Sequence, residues 1–225
     1  DVSSICRFTD TGGQKGGIGM PRFLITHSLL SSWLYAMKDN PFEDSTTERN
    51  PFDEFMKTLR REPTETTDAM LKGINFENLV TAITEGNGDR TNNWYEAAER
   101  IARIVQGGQL QYKAFKEIKV NGMTFLLYGR LDALKAGVIY DIKFSGNYDA
   151  GKYFTSTQHP TYLELVPEAK EFTYLISNGS GVWAETYRRE ETLSIIPIIS
   201  DFIEWLSVFG LMDIYREKWK SKSGR

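Results

Sequence analysis

The spacing of apolar residues divides the chain near residue 110 into a helical first half and a strand-rich second half. In the first half, apolar side chains recur every three or four residues, the spacing of a helix with one buried face. The pattern predicts helices over residues 26–37, 52–59, 76–86 and 94–105. Residues 39–68 carry three prolines among many polar side chains, which favours a long connection with short helical pieces.

The second half has short runs of β-branched and aromatic residues that end at turn residues. These runs predict strands over 113–120, 124–128, 138–144, 172–177 and 182–187, and helices over 151–165 and 193–209. Asn121-Gly122 is the strongest short hairpin signal in the chain, and a second hairpin is expected to turn at Ala136 and Gly137. The order of these elements predicts an α/β fold.

Two acids and a lysine occupy the strands of the second predicted hairpin. If the chain turns at residues 136 and 137, Asp132 lies opposite Asp141, with Cβ atoms roughly 5 Å apart. Lys143 lies on the same face because side chains alternate along a strand. Two like charges at this distance repel unless a cation lies between them, and the neighbouring residues of the strand are apolar. The alternative is a surface ion-pair cluster without function.

Carboxylates, a divalent cation and an ammonium group are what hydrolysis of a phosphodiester needs. A divalent cation lowers the pKa of the attacking water and neutralises charge on the phosphate oxygens. Lys143 could orient that water, or could deprotonate it if its surroundings lowered the lysine pKa. The residues therefore predict a metal-dependent phosphodiesterase centre.

Composition narrows the classes of protein further. The 225 residues are enough for one domain, and the net charge of −3 argues against a protein that coats nucleic acid through many basic groups. The single cysteine excludes an internal disulfide and a four-cysteine metal site, and favours a reducing cytoplasm. No apolar run reaches the roughly 18 to 20 residues that cross a bilayer, so no membrane association is expected. The basic residues near the C-terminus are predicted to form a solvated or frayed tail over residues 211–225.

Three sequence features together resemble the PD-(D/E)xK nuclease superfamily, in its RecB-like, phage-type exonuclease branch. They are the Gly-Arg-Leu-Asp segment ending at Asp132, the Asp-Ile-Lys strand at 141–143, and the pair Gln158 and Tyr162 at Gln-x-x-x-Tyr spacing. The resemblance covers roughly residues 70–190. It implies a restriction-endonuclease-like core over 70–210, with a central mixed sheet flanked by helices, and an N-terminal helical extension over 1–69.

The resemblance also implies roles for particular residues. The implied metal ligands are Glu77, Asp132, Asp141 and Ile142. The implied catalytic residues are Asp132, Asp141, Lys143, Gln158 and Tyr162, and the implied substrate contacts are Ser145, Gln158 and Tyr162. Glu77 stands where many RecB-like members have histidine, which departs from the pattern of that branch.

The expected function is a deoxyribonuclease that uses Mg²⁺ or Mn²⁺, an exonuclease of recombination, repair or phage DNA processing. DNA is the expected partner, together with a recombination or single-strand-annealing protein. The sequence leaves two alternatives open, an endonuclease on the same fold and a catalytically inert nucleic-acid-binding protein. Of the two histidines, His27 is predicted to be a capping or surface residue, and His159 to lie at a helix start beside the site.

Overall fold

A computed structural model describes residues 22–38 and 50–221, which build a mixed sheet of six strands between two layers of helices. The strands are β1 (Phe23–Ile25), β2 (Gln109–Val120), β3 (Met123–Lys135), β4 (Val138–Phe144), β5 (Glu171–Ser177) and β6 (Val182–Arg188). The helices are α1 (His27–Ala36), α2 (Pro51–Arg60), α3 (Asp68–Thr84), α4 (Tyr95–Val105), α5 (Gln158–Leu165), α6 (Ile196–Val208) and α7 (Met212–Lys218). The predicted α/β class, with a central mixed sheet flanked by helices, is confirmed.

Both predicted hairpins are present, and their turns have the backbone geometry that two-residue turns require. Asn121 and Gly122 have φ angles of 50° and 74°, and Ala136 and Gly137 have φ angles of 50° and 78°. Two successive left-handed residues match the twist of the flanking strands. In the second hairpin Ala133 pairs with Tyr140, which is the register that the turn position predicted.

The ends of several helices differ from those predicted. The side chain of Thr26 caps α1 by accepting a hydrogen bond from the Leu29 amide at 3.2 Å, as the sequence suggested. Helix α5 begins at Gln158 rather than near residue 151, so Pro160 falls in its first turn, where it displaces no helical hydrogen bond. In residues 22–38 and 50–221, no helix combines the length and apolar composition needed to cross a bilayer.

Each face of the sheet covers its own hydrophobic core. The first core joins the sheet to α1, α2, α5, α6 and α7, and the second joins it to α3 and α4. Alternating residues of β4 and β5 supply the two cores, because successive side chains of a strand point to opposite faces. Ile139 and Tyr174 lie in the first core, whereas Ile142 and Leu175 lie in the second.

Strand β3 carries a break in its pairing that we call the fork. One edge of β3 pairs with β2 along almost its whole length. The other edge pairs with β1 at 125–127 and with β4 at 133–135, and no strand of the described residues pairs with this edge between them. Residues 128–132 therefore expose backbone groups that side chains must satisfy.

A kink in β2 lies beside the fork. Gln111 has a φ of 52°, and the ladder between β2 and β3 has no pair at Gln111 and Asp132. Opposite this kink, strand β3 also changes which face its side chains point to. Residues two apart on a regular strand share a face, but Leu131 packs in the first core and Ala133 in the second. Asp132 lies between Leu131 and Ala133, at the point where β3 changes faces.

The C-terminal segment is folded rather than frayed, which corrects the sequence prediction for the part up to Ser221. Tyr215 of α7 is fully buried and Trp219 is 6% exposed. The Leu24 amide donates to the Trp219 carbonyl at 2.7 Å, which ties this segment to β1. The sequence prediction rested on the basic residues of this segment and missed its buried face, which carries these two aromatic residues. Lys222 and Arg225 lie outside the described residues.

Candidate active site

Asp132 and Asp141 lie at the fork, and both are buried. Their residues are 9% and 3% exposed. Asp132 Oδ2 accepts a hydrogen bond of 2.7 Å from the Ile142 amide, so this carboxylate replaces a backbone partner where β3 and β4 separate. Asp141 Oδ1 accepts a short hydrogen bond from Gln158 Nε2. The two acids are therefore close enough for the charge of Asp141 to act on Asp132, and Asp132 is bonded to β4 whereas Asp141 is bonded to α5.

Burial and mutual repulsion disfavour the charged form of both acids. Burial raises the pKa of Asp132 well above its usual value, and the charges of Asp141 and Glu77 raise it further. The Ile142 amide and Lys143 oppose this rise without cancelling it. Burial likewise raises the pKa of Asp141, against the opposing effect of Lys143 and Gln158. The site therefore attracts positive charge.

Lys143 supplies part of that positive charge. Its Nζ lies 2.7 Å from Asp141 Oδ2, which forms an ion pair. Burial by itself lowers the pKa of Lys143, but the charges of Asp141 and Asp132 outweigh it and raise the pKa above its usual value. Lys143 is therefore protonated, which favours orienting water or phosphate over deprotonating water.

Helix α5 places Gln158 and Tyr162 over the fork, as their spacing predicted. Tyr162 Oη donates to the Arg130 carbonyl at 3.0 Å, which satisfies a backbone group in the unpaired stretch of β3. Gly129 permits this approach, because a Cβ at that position would meet Tyr162 Cε1 at 2.5 Å and Leu165 Cδ1 at 2.9 Å. The Gly-Arg-Leu-Asp segment thus combines a close-packing glycine with a carboxylate.

Glu77 comes from α3, which packs on the opposite face of the sheet, and its charge acts on both aspartates. Glu77 Oε1 accepts a hydrogen bond of 2.8 Å from Gln111 Nε2. The same oxygen lies 3.9 Å from Arg130 Nη2. In the part of the chain that the structure describes, no three His, Cys, Asp or Glu side chains are placed together as a metal-binding group. The role of Glu77 as a ligand stays a prediction.

Ser145 and Ile142 were also expected at the site. The Ser145 hydroxyl donates to the Asn147 carbonyl at 2.6 Å and accepts from Lys152 Nζ at 2.7 Å, so it stabilises the segment that follows β4. Ile142 could bind a metal only through its backbone carbonyl. Neither role, substrate contact or metal ligand, is tested by these contacts.

The loop from residue 146 to residue 157 connects β4 to α5 and is anchored by Glu185 of β6. The Glu185 carboxylate accepts hydrogen bonds from the Tyr148 hydroxyl at 2.8 Å, the Tyr153 amide at 3.1 Å and the Gly151 amide at 3.3 Å. It also accepts one from the Tyr187 hydroxyl. Burial by itself raises the pKa of Glu185, but these donors outweigh it and lower the pKa. The loop therefore has a fixed position beside the site.

The structure adds two residues that the sequence did not reveal. His27 does not cap α1, since Thr26 does, and it is half-buried, with its ring edge-on to Tyr162 at 5.4 Å between ring centroids. Burial and the charge of Lys143 lower the pKa of His27 to about 4, so it is neutral at neutral pH. Gln111 positions Glu77 from the kink in β2. The only local signal for Gln111 was a polar residue within a strand pattern, which is common.

His159 does lie at the start of α5, where its ring packs against Tyr187 of β6 and Tyr174 of β5. It stacks on Tyr187 with 4.0 Å between ring centroids, and its Nδ1 lies 3.3 Å from the Tyr174 hydroxyl. Burial lowers its pKa to about 4. His159 therefore supports the aromatic packing between α5 and β6.

Comparison with known proteins leaves the family open. Neither a protein-family model nor a curated protein matches this chain. The chain is similar to a solved structure, the crystal structure of SSO0001, with a TM-score of 0.49 and 15% sequence identity. The alignment covers 82% of this chain and 77% of that one. This similarity is too low to support a conclusion about function.

Proposed function

We propose that this chain is a metal-dependent nuclease of the PD-(D/E)xK type that hydrolyses DNA phosphodiester bonds. The observation that carries the proposal is the burial of Asp132 and Asp141 together at the fork, with Lys143 against them. Buried acids with raised pKa values lower stability unless a cation or substrate uses them, and such groups cluster at functional sites.

The residues fit a divalent cation in the type of atom they offer. Asp141 Oδ2 is buried and lies 2.7 Å from Lys143 Nζ, so a divalent cation at this oxygen would share it with the lysine or displace the lysine. Mg²⁺ is commonly held by one or two carboxylates, completed by water and substrate phosphate, so a group of three acids is not required. Asp132, Asp141 and the Ile142 carbonyl would hold the ion, with Glu77 as a further acid nearby. Bound there, Mg²⁺ or Mn²⁺ would acidify the attacking water.

The other residues of the site act on the position of these groups and of the substrate. Lys143 carries a positive charge beside the acids and can bind a phosphate oxygen or orient water. Gln158 fixes the Asp141 carboxylate through its hydrogen bond to Oδ1. Tyr162 fixes the backbone of β3 two residues before Asp132. Ser145, which directly follows β4, is proposed as a contact to the DNA strand.

The finer parts of the proposal concern the setting of the reaction. We place the activity on DNA ends, as an exonuclease in recombination, repair or phage DNA processing, with a recombination or single-strand-annealing protein as partner. The resemblance to RecB-like and phage exonucleases supports this choice over an endonuclease. A reducing compartment such as the cytoplasm suits a chain with one cysteine.

A second candidate is a nucleic-acid-binding protein that does not cleave. Two contacts favour it: Asp132 already accepts the Ile142 amide, and Lys143 already pairs with Asp141. In that case the charged groups would only hold β3 and β4 together at the fork.

A cleavage assay separates these candidates. Linear and covalently closed circular DNA are incubated with Mg²⁺, Mn²⁺ or EDTA, using wild type, Asp132→Asn, Lys143→Met and the exposed control Asp201→Asn of α6. We expect metal-dependent loss of linear DNA, a decrease of roughly 10³-fold in both site variants, and no change in the control. Cutting of the circles would indicate an endonuclease. Wild-type binding without metal-dependent cleavage would reject the nuclease.

A further inference from the structure

Phe154 is an exposed aromatic residue on a loop whose position is fixed. Its side chain lies on the loop between β4 and α5, and the residue is 73% exposed. The loop is held by the hydrogen bonds to Glu185 and by Lys152, whose Nζ donates to Ser145 Oγ and to the Asn147 carbonyl. The anchored backbone therefore holds this exposed ring in a defined position.

A largely apolar cavity of ≈ 230 Å³ opens beside Phe154. Its apolar and aromatic walls include Phe154, His159, Pro160, Tyr187, Leu193 and Ile198. His159 and Tyr187 form its rigid part, because their rings stack and both are fixed by further contacts with Tyr174 or Glu185. The cavity therefore offers flat, preformed surfaces to a flat ligand.

A second cavity with different chemistry lies on the other side of the same loop. This cavity of ≈ 410 Å³ shares Thr155 and Ser156 with the first, and its lining includes Lys38 and Lys152. Lysines and hydroxyl groups are ligands for phosphate. Thr155 and Ser156 thus separate an aromatic cavity from a mixed cavity that contains two lysines among apolar side chains.

The loop that carries Phe154 contacts the candidate active site through the neighbouring residue, Tyr153. Lys143 Nζ lies 5.9 Å from the centre of the Tyr174 ring, and Tyr174 stacks on Tyr153 with 4.3 Å between centroids. Phe154 is the next residue. The exposed ring is therefore one residue along the loop from a side chain that packs beside the candidate active site.

We propose that Phe154 and the apolar cavity bind an unpaired nucleobase of the DNA strand held at the active site. This inference rests on the proposed function for the identity of the substrate. A nucleobase fits the flat aromatic walls, and stacking on an aromatic side chain is independent of sequence. The lysine-lined cavity next to it suits the phosphate that every nucleotide carries, which favours a nucleic acid over an apolar peptide. The site would therefore recognise single-stranded or frayed DNA ends rather than intact duplex.

Binding measured without metal tests this inference independently of cleavage. Fluorescence anisotropy in EDTA compares a labelled single-stranded oligonucleotide of 12 thymidines with a blunt hairpin duplex. We expect Phe154→Ala to weaken binding of the single strand roughly 5- to 100-fold and to leave duplex binding unchanged. Phe154→Trp keeps a stacking surface and is expected to retain wild-type affinity. The control is Phe115→Ala on β2, since Phe115 is similarly exposed at 70% but is remote from the loop.

The outcomes separate this inference from the proposed function. A loss of single-strand affinity in Phe154→Ala alone supports the base site even if the wild type proves unable to cleave DNA. Equal affinity of wild type and Phe154→Ala for the single strand would overturn the base site even if cleavage is observed. The same loss in Phe115→Ala, or an equal loss for the blunt hairpin, would also overturn it, because neither is specific to an unpaired base at this loop.

Discussion

The two aspartates at the fork occupy positions where apolar residues would stabilise the fold better. A buried acid stabilises a protein only when its charge is compensated. The compensation here is incomplete, because Asp132 retains a strongly raised pKa despite the Ile142 amide and Lys143. Such a residue lowers the stability of the fold but supplies a buried carboxyl group with a raised pKa, which is what functional sites typically contain.

If the buried charge of Asp132 lowers stability, Asp132→Asn should raise it. The asparagine keeps an oxygen that can accept the Ile142 amide but removes the charge, so we expect a higher free energy of unfolding at pH 8 in EDTA, together with loss of cleavage. A raised folded-state pKa means that the cost of burial is absent below the unfolded pKa, near 4, grows as the pH rises above that value, and is complete above the folded-state pKa. The difference in free energy of unfolding between Asp132→Asn and wild type should therefore grow with pH. Its full size should be about 1.4 kcal/mol for each unit by which the folded-state pKa exceeds the unfolded-state pKa.

Urea unfolding of wild type and Asp132→Asn at pH 4.5 and pH 8 measures this effect. Asp201→Asn, on the exposed side of α6, provides the matched control, and its stability should follow wild type at both pH values. An asparagine variant that is less stable than wild type at pH 8, or that gains equally at both pH values, would refute the explanation.

At the scale of elements, the site depends on how closely α5 packs on β3. Gly129 is the point of contact, and it makes room for the buried ring of Tyr162. Because Tyr162 and Gln158 lie on the same helical face, a displacement of α5 at Gly129 would move both hydrogen bonds that α5 makes to the site.

We therefore predict that Gly129→Ala destabilises the protein and impairs the site together. A Cβ at 2.5 Å from a buried aromatic ring forces the helix or the strand to shift, at a cost of roughly 1–3 kcal/mol. Gly146→Ala is the control, because a Cβ there meets nothing within 4 Å and lies just past the end of β4. Thermal unfolding and cleavage rate measure the two effects. Equal stability of the two alanine variants would show that α5 does not need this close approach.

Local sequence signals predicted the second half of the fold well. The turn at Asn121 and Gly122 and the turn at Ala136 and Gly137 fix the register of both hairpins, and in the second hairpin Asp132 and Asp141 come directly after the last pair, Ala133 and Tyr140. The four-residue spacing of Gln158 and Tyr162 likewise placed both on one face of α5. These features depend on residues close in sequence, where turn chemistry and periodicity act directly.

Features that depend on distant residues were not predictable in this way. Strand β1 has three residues, too few for an alternating pattern, and it forms only because β3 offers a free edge. Gln111 has a left-handed backbone, and its side chain donates a hydrogen bond to Glu77, which lies 34 residues earlier in the sequence. Helix α7 was hidden by its basic residues, since two buried aromatic residues in a charged segment give a weak signal.

At the scale of the whole molecule, the two ends of the described chain hold one side of the fork. Strand β1 pairs with β3 on one edge, and on the other edge the Leu24 amide donates to the Trp219 carbonyl. The Tyr215 hydroxyl donates to the Leu24 carbonyl at 2.9 Å, and Trp219 Nε1 donates to the Leu59 carbonyl at 2.8 Å. Arg61 lies over the Trp219 ring at 4.1 Å. Residues from three distant segments thus meet at this tryptophan.

Trp219→Ala should consequently destabilise the whole fold, by about 3–5 kcal/mol for a buried aromatic residue, and should weaken the site through β1. Trp219→Phe keeps most of the packing but loses the bond to Leu59, so an intermediate effect is expected even if the alanine variant does not fold. Trp183→Ala is the control, because that side chain is 40% exposed and should cost less than about 1 kcal/mol. Urea unfolding gives the stabilities, and hydrogen exchange at the Leu24 amide reports the local contact. If Trp219→Phe and Trp183→Ala were both as stable as wild type and Leu24 exchange were unchanged, the C-terminal segment would not support β1, and the fork would have to be held by β3 alone.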